Sequence, residues 1–497
     1  MKLQQLLERM EYQLIQGTTD VEIARLCYDN RQVQAGDLFV CISGARFDTH
    51  DCLQDIADKG ATAIMIEKPL SECGALSTDI PVLQVASTRQ AEASLAAAYY
   101  GHPADHLTMI GITGSKGKTT TTHMLADILR QDGRKVGTVG TNGAIIGDKV
   151  IELANTTPSA QDMQMYLAKM VEEGMDTAVI ECSSQGLMQY RTGGMTFDCG
   201  VFLNISTGDH IGPNEHKDFA EYLHCKGMLL QQSRLGFVNA DDAWTETMLK
   251  EIDTPIVRFG TSEGVDYRLS DIRKTFEHQT PGLLFDVDGA FHATLPVNLP
   301  GEFNAANALA AVAVAHHLGA SKEAMERALS HMKIKGRFDI VFRNEHFAVC
   351  VDFAHNGYST RNHLEALREY HPKRLVCVFG ADGNRSKSRR YEMGEASGRL
   401  ADFSIVTAGH NRWESFEDIL KDIHVGLDKT DGAYMVIPNR KDAVRYAIEN
   451  AEDGDFITIL GLGHESYQEE NGVKYPYSDR EYVLQVVKEL GLQSSEQ

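Results

Sequence analysis

Residues 107–130 read LTMIGITGSKGKTTTTHMLADILR, and the polar centre of this stretch carries residue types suited to binding phosphate. Gly114, Ser115, Lys116 and Gly117 make a tight segment that runs into Lys118, Thr119 and Thr120. Glycines let backbone N–H groups approach an anion, a lysine ammonium reaches the outer phosphates, and the following threonine hydroxyl ligates Mg²⁺. The pattern is the short form GxxGKT, because Ile112 stands where the longer motif has its first glycine. The flanks supply the context. Met109, Ile110 and Ile112 predict a buried strand, and Met124, Leu125, Ile128 and Leu129 predict one face of a helix that Gly133 ends. That layout points a helix dipole at a phosphate. The alternative is a glycine turn that only links strand to helix.

A chain of 497 residues implies about three domains. Its 48 Lys plus Arg against 70 Asp plus Glu leave a net charge of −22. That balance argues against a nucleic-acid partner or an anionic-membrane surface, so an anionic substrate must be met by local basic residues. The nine cysteines show no C-x-x-C pair or zinc spacing and read as reduced, mostly buried thiols. The N-terminal MKLQQLLERMEYQL lacks the apolar core of a signal peptide, and the most apolar run, 308–315, is too short to span a bilayer. A cytoplasmic protein without stable membrane association is expected.

Stepping along the chain, 1–103 reads as a first domain, with strands at 37–43 and 61–67 and a helix at 52–59. In it Asn30 and Arg31 sit at a turn before Gly36, and His102-Pro103 marks the boundary. From 104 to 332 strand and helix alternate, as in a parallel α/β sheet. Strands at 136–141, 177–182 and 200–205 are expected there, with helices at 160–173 and 216–230. The strand at 177–182 delivers Glu181 at its C-terminal end, and the next leads into Thr207-Gly208-Asp209-His210. Strand ends of this kind carry the ligands of open α/β sheets, and a carboxylate beside a phosphate loop is a natural Mg²⁺ partner. Lys226 falls within the helix at 216–230, where a snorkelling surface lysine is the ordinary reading. Alternating apolar positions over 255–300 suggest a β-rich excursion turning at Pro281-Gly282, followed by an alanine-rich helix over 305–317. A third domain, 333–497, has strands at 347–353, 374–379, 402–407 and 455–460, each ending in polar residues. The tail from 494 is expected to fray.

In this order the stretches TGSKGKTTT, NTTP, ECSSQGLMQYR, the Asp209-His210 pair followed by HKDFAEYLHCK, GEFNAAN, KGRFD, VDFAHN, the basic loop 380–390, GHNRWE and GLGHESYQ resemble the Mur ligases along nearly the whole chain. The match is to the branch that adds the third peptide residue to UDP-N-acetylmuramoyl-dipeptide. The resemblance implies three α/β domains: a UDP-sugar domain, a central ATP-binding domain with a P-loop-type parallel sheet, and a Rossmann-like C-terminal domain. It implies that Gly114 to Thr120, with Asn304, Arg337, Asp352 and His355, hold ATP. It further implies that Thr119, Glu181, His210 and Lys226 serve Mg²⁺, the lysine as a carbamate. Lys118, Glu181, His210 and Lys226 become the candidate catalytic set. Asn30, Arg31, Thr156, Thr157, Ser183, Gln189 and Arg191 match positions contacting the UDP-muramoyl substrate. Arg390, Arg412, Gly461 and Glu465 match those that hold the incoming amino acid, for which meso-diaminopimelate is the first expectation.

The chain departs from the family's patterns. Ser115-Lys116 replaces Thr-Asn, Gln185 replaces a histidine, and Leu462 replaces the lysine of GKGHE. The motif DNPR reads Gly409-His410-Asn411-Arg412, keeping only the arginine. A ligase using lysine, ornithine or another amine therefore competes with the first expectation. A folylpolyglutamate-synthase-like ligase and a nucleotide-binding protein without catalysis compete less well.

Overall fold

Parallel strands covered on both faces need apolar side chains at successive positions, and the run Thr108–Thr113 has them, buried from Met109 onward. In the computed structural model this strand lies within a run of parallel strands. The structure describes residues 1–44, 47–207, 210–212, 215–277 and 280–495, so Gly208 and Asp209 lie outside the described residues. It comprises two units, Met1–Val265 and Asp266–Gln497.

In the first unit, Thr108–Thr113 pairs in parallel with Thr177–Glu181 on one side and Phe197–Phe202 on the other. Val136–Gly140 lies beyond the former, and Ser233–Asn239 and then Ile256–Gly260 lie beyond the latter. The registers Glu181↔Ile112 and Val201↔Ile112 bring the C-terminal ends of three strands level, so their loops emerge together. The third of these strands starts three residues earlier than expected. Asp198 masks that start in the sequence; its carboxylate takes the Met109 N–H at 2.8 Å and pairs with Arg234. The helix expected from 216 starts at Phe219 because the Asp218 side chain caps it.

The same unit holds a five-stranded sheet in the order Gln13–Gln16, Val82–Gln84, Ala63–Ile66, Asp37–Val40, Arg25–Cys27, parallel except at its first strand. Strands of three or four residues give little alternation to read, and three of these five were not legible in the sequence. The helix Thr88–Tyr99, capped by Ser87, was also missed.

The second unit opens with the antiparallel strands Tyr267–Glu277, Thr280–Gly289 and Ala293–Val297. Pro281 and Gly282 lie within the second strand rather than at a turn. Pairing with the third strand begins only at Leu283, so the missing proline N–H breaks no bond there. The helix Glu302–His317 follows, buried along most of its length by small apolar residues. A six-stranded sheet then runs Asp339–Arg343, Phe347–Asp352, Asp455–Leu460, Arg374–Phe379, Phe403–Val406, Tyr434–Val436, with only the first strand antiparallel. A hairpin of Tyr467–Glu470 and Val473–Pro476 follows. The tail does not fray at Ser494 and Ser495, which both bond the Arg343 carbonyl. Among the described residues no helix is long and apolar enough to cross a membrane.

Arg440 and Asp479 are buried together in this unit, joined by two hydrogen bonds of 2.8 and 2.7 Å. The arginine also bonds the carbonyls of Leu460 and Ala408, which precede two loops of the site described below. Arg440→Met would strand a buried carboxylate and should cost ~3–5 kcal/mol, whereas Arg440→Met with Asp479→Leu should cost much less. Urea unfolding of both variants checks this; equal midpoints would refute it.

Candidate active site

The phosphate loop is a turn that the residue at its end makes possible. Gly117 has φ 87°, the left-handed conformation that favours glycine, and it caps the helix Lys118–Gln131. Asn204, at the end of the neighbouring strand, fixes the loop from the side. Its carbonyl accepts the Ser115 N–H and its side-chain oxygen accepts the Lys116 N–H, both at 2.9 Å. Lys118 curls back so that its Nζ donates to the Gly114 carbonyl at 2.7 Å, which holds the ammonium over the loop.

Glu181 meets this loop from the adjacent strand end. It is 1% exposed, and its Oε2 accepts the Thr119 hydroxyl at 2.9 Å. Oε1 accepts the Thr141 N–H at 2.9 Å, and the Thr141 hydroxyl adds a bond of 3.1 Å to Oε2. Gly140 makes room for it, since a Cβ there would lie 2.1 Å from Oε1. Mg²⁺ takes a few protein oxygens and completes its shell with phosphate and water. The Thr119 hydroxyl and Glu181 carboxylate are donors of that kind, so the residues present fit the ion. A self-sufficient group of three or more His, Cys, Asp or Glu is absent among the described residues.

His210 and Lys226 come together around Tyr222. The fully buried Tyr222 ring lies 4.7 Å below the Lys226 Nζ and 5.7 Å from the His210 ring, and its hydroxyl bonds Ser115 at 2.7 Å. Lys226 is 1% exposed, so it is not the snorkelling surface lysine of the ordinary reading. His216, buried against the same tyrosine and bonded to Ser184, is held below its usual pKa by desolvation.

Thr156, Thr157 and Ser183 continue the network away from the loop. The Thr156 hydroxyl lies 3.1 Å from that of Thr141, and the Thr157 hydroxyl donates to the Glu181 carbonyl at 2.8 Å and accepts the Ser183 N–H at 2.9 Å. Arg191 donates to the Thr157 carbonyl and to the Gln189 side chain, each at 2.8 Å. Gln189 and Arg191 then line a cavity of about 270 Å³ together with Arg89, Glu92, Asn155 and Asp162. Asn30 and Arg31 do not line this cavity: Arg31 is bound to Asp29 at 2.7 Å, and the Asn30 carbonyl accepts from Lys59.

In the second unit Arg337, Asp352 and His355 gather around Phe353. The Arg337 guanidinium stacks 4.8 Å from the Phe353 ring, and the His355 ring lies 4.6 Å from it. Asp352 accepts the N–H groups of Phe338 and Ala354, and Phe303, next to Asn304, packs 6.2 Å from Phe338. A second cavity of about 170 Å³ is lined by Phe353, His355, Asp382, Arg385, Arg389, Arg412, Gly461 and Glu465. Arg390 is not among these residues. It is 1% exposed and committed to Glu414, Asp422 and the Asp382 carbonyl, so it braces the loop while Arg385 and Arg389 face the cavity. Arg412 pairs with Asp382 at 3.4 Å, not with Glu414.

Sequence comparison supplies the family. Residues 22–100, 112–315 and 336–463 match the models of the Mur ligase family catalytic domain, the Mur ligase middle domain and the Mur ligase glutamate ligase domain. The chain is 36% identical over 491 residues to a UDP-N-acetylmuramoyl-L-alanyl-D-glutamate–2,6-diaminopimelate ligase of Caldanaerobacter subterraneus, covering 98% of this chain and 99% of that one. The chain belongs to the Mur ligase family. A Listeria monocytogenes relative of the same name is 35% identical, with 99% and 100% covered. Among solved structures, a ligase so named superposes with a TM-score of 0.70 at 24% identity, covering 99% of this chain and all of that one. The fold is that of a Mur ligase, an ATP-dependent ligase.

In this Mur ligase several site residues escaped the sequence reading. Asn204 could have been found, since it closes an apolar strand beside the phosphate loop. Arg89 and Glu92 lie on the missed helix Thr88–Tyr99 and had no local signal. Burial pushes the Glu92 carboxyl up to about 7. Such a group supports the fold fully below its ordinary value near 4.5, and that contribution is lost as pH rises through about 7. Glu92→Gln cannot ionise, so its melting temperature relative to wild type should be higher at pH 8 than at pH 5. A difference that does not change between the two pH values would refute the assignment.

Proposed function

We propose that the chain joins diaminopimelate to UDP-N-acetylmuramoyl-L-alanyl-D-glutamate at the expense of ATP, through an acyl phosphate, in peptidoglycan precursor synthesis in the cytoplasm. The observation that carries this reading is the unbroken hydrogen-bonded path from the phosphate loop through Glu181, Thr157 and Arg191 to the 270 Å³ cavity. It joins a phosphate site to a site able to present a substrate carboxylate. The names of the relatives support the substrates. We further propose domains of 1–103, 104–332 and 333–497, in keeping with the spans of the three family models.

In this reading the loop amides, the helix N-terminus and Lys118 hold the phosphates, with Asn304, Arg337, Asp352 and His355 serving the rest of the nucleotide. Mg²⁺, when bound, offsets phosphate charge and polarises the γ-phosphorus. Thr156, Thr157, Ser183, Gln189 and Arg191 orient the acceptor, with Asn30 and Arg31 assigned to its uridine. The acceptor carboxylate displaces ADP from the γ-phosphate. The amine of the amino acid then attacks the acyl carbon, releasing phosphate and a proton. Lys118 acts by stabilising charge as it moves toward the leaving oxygen, Glu181 would act with the Thr119 hydroxyl by holding the ion, and fixed positions supply much of the rate.

Arg385, Arg389 and Arg412 around the second cavity suit an amino acid bearing an additional carboxylate. ADP release with UDP-muramoyl-dipeptide and a panel of diaminopimelate, lysine and ornithine tests this. Wild type should favour diaminopimelate, Arg412→Ala should lose that preference, and Lys118→Ala should lose at least ~100-fold in turnover. Preference for lysine or ornithine, or an unchanged Arg412→Ala, would overturn the choice of amino acid. Near-normal turnover by Lys118→Ala would overturn the phosphate loop.

We also infer that Lys226 carries CO₂ as a carbamate. Its burial and its place beside the phosphate loop favour an anion there, because an ammonium would repel Mg²⁺. Protein equilibrated with ¹³C-bicarbonate should show a carbamate carbon resonance that Lys226→Ala lacks, and the inactive variant should be partly rescued by short carboxylates. A spectrum identical in both proteins would sink the inference.

A further inference from the structure

We propose that His410 is a positioning residue that fixes Glu465 as the charged acceptor for an ammonium group of the incoming amino acid. The inference deepens the reading above and rests on the second cavity taking an amino acid.

The hydrogen bonds determine what the imidazole can do. The backbone N–H of Glu469 donates to His410 Nδ1 at 3.0 Å. A backbone amide can only donate, so Nδ1 carries no proton and the neutral ring holds its proton on Nε2. Nε2 lies 2.8 Å from Glu465 Oε2 and therefore donates to it. The ring is held in place. His410 is 3% exposed, its ring lies 5.0 Å from that of Tyr467, and its carbonyl accepts the Gly383 N–H at 2.8 Å.

Glu465 is thus oriented by a neutral donor, which leaves its negative charge intact, whereas a guanidinium would cancel it. Its Oε1 is bonded by no described residue, and the side chain lines the cavity. Arg412, the nearby cation on the same loop as His410, is turned toward Asp382. Three arginines on the cavity wall take carboxylates, and Glu465 is left for a cationic nitrogen. The hairpin sets this loop. Arg412 N–H donates to the Glu469 carbonyl at 3.1 Å, the Asn471 N–H donates back to Arg412, and Arg412 adopts φ 53°. The asparagine that the family motif has at this position is shorter than histidine. It could meet the Glu469 N–H but not also Glu465, so the bond that orients the carboxylate depends on the histidine of this chain.

The test compares wild type with His410→Asn, which keeps a short acceptor, and His410→Gln, which keeps a donor near the Nε2 position. Steady-state kinetics with each amino acid of the panel should show His410→Asn raising KM for the amino acid that wild type uses by ~10-fold, as expected for a hydrogen bond to a charged group. KM for ATP and for the UDP-linked acceptor should stay unchanged, and His410→Gln should recover most of the loss. Imidazole ¹⁵N shifts of the wild-type protein, assigned by loss of the signal in His410→Asn, should show a bare Nδ1 and a protonated Nε2. A proton on Nδ1, an unmoved amino-acid KM, or a parallel rise in all three KM values would overturn the proposal. Wild-type preference for lysine would overturn the diaminopimelate reading alone, since the KM comparison applies to whichever amino acid is used. Should both variants fail to fold, the wild-type ¹⁵N signal assigned instead by its through-bond connection to the His410 backbone still decides.

Discussion

A carboxylate buried at the end of a parallel strand must find donors for both oxygens, and the first unit is arranged to supply them to Glu181. Thr119 comes from the first turn of the phosphate-loop helix, and Thr141 comes from the end of a neighbouring strand. Gly140 leaves the space that any side chain would fill. An unsatisfied charge in that position would cost several kcal/mol, so the sheet register, the loop and the strand end are mutually constrained. The same bonds place the threonine hydroxyl and the carboxylate together, where a divalent ion and a phosphate can share them.

Tyr222 extends this arrangement on the other side of the loop. Its ring contacts Lys226 and His210 and its hydroxyl bonds Ser115, so one aromatic side chain connects a helix, a loop and the phosphate turn. The second unit repeats the logic with ion pairs. Arg390 is spent on bracing Glu414 and Asp422, and Arg440 on Asp479 and two loop carbonyls. Buried arginines of this kind are costly to leave unpaired, and their fixed geometry leaves the neighbouring Arg385, Arg389 and Arg412 to face the cavity.

How much of this was legible depends on whether the signal is local. The phosphate loop, the strands beginning at Thr108, Thr177, Arg374 and Asp455, and Glu181 at a strand end could all be read from runs of apolar residues and their polar termini. Those features follow from backbone geometry within a dozen residues. The short strands of the first sheet, the helix Thr88–Tyr99 and the strand containing Pro281 could not, because their patterns are too brief or contain residues that a particular pairing makes tolerable.

The sequence by itself determined the strand and helix that flank the phosphate loop, the longer apolar strands with polar ends, the phosphate-binding residue types and, through short motifs, the family, since each rests on side chains close together along the chain. Only the tertiary structure decided which arginine of the pair 389–390 faces the cavity, that Lys226 is buried on a tyrosine, and that His410 donates to Glu465. Arg389 and Arg390 are chemically the same residue, and adjacent positions on a helix point in different directions. Which of them meets a ligand is settled by the carboxylates Glu414 and Asp422, contributed by segments 24 and 32 residues away, and no local pattern records where those will lie.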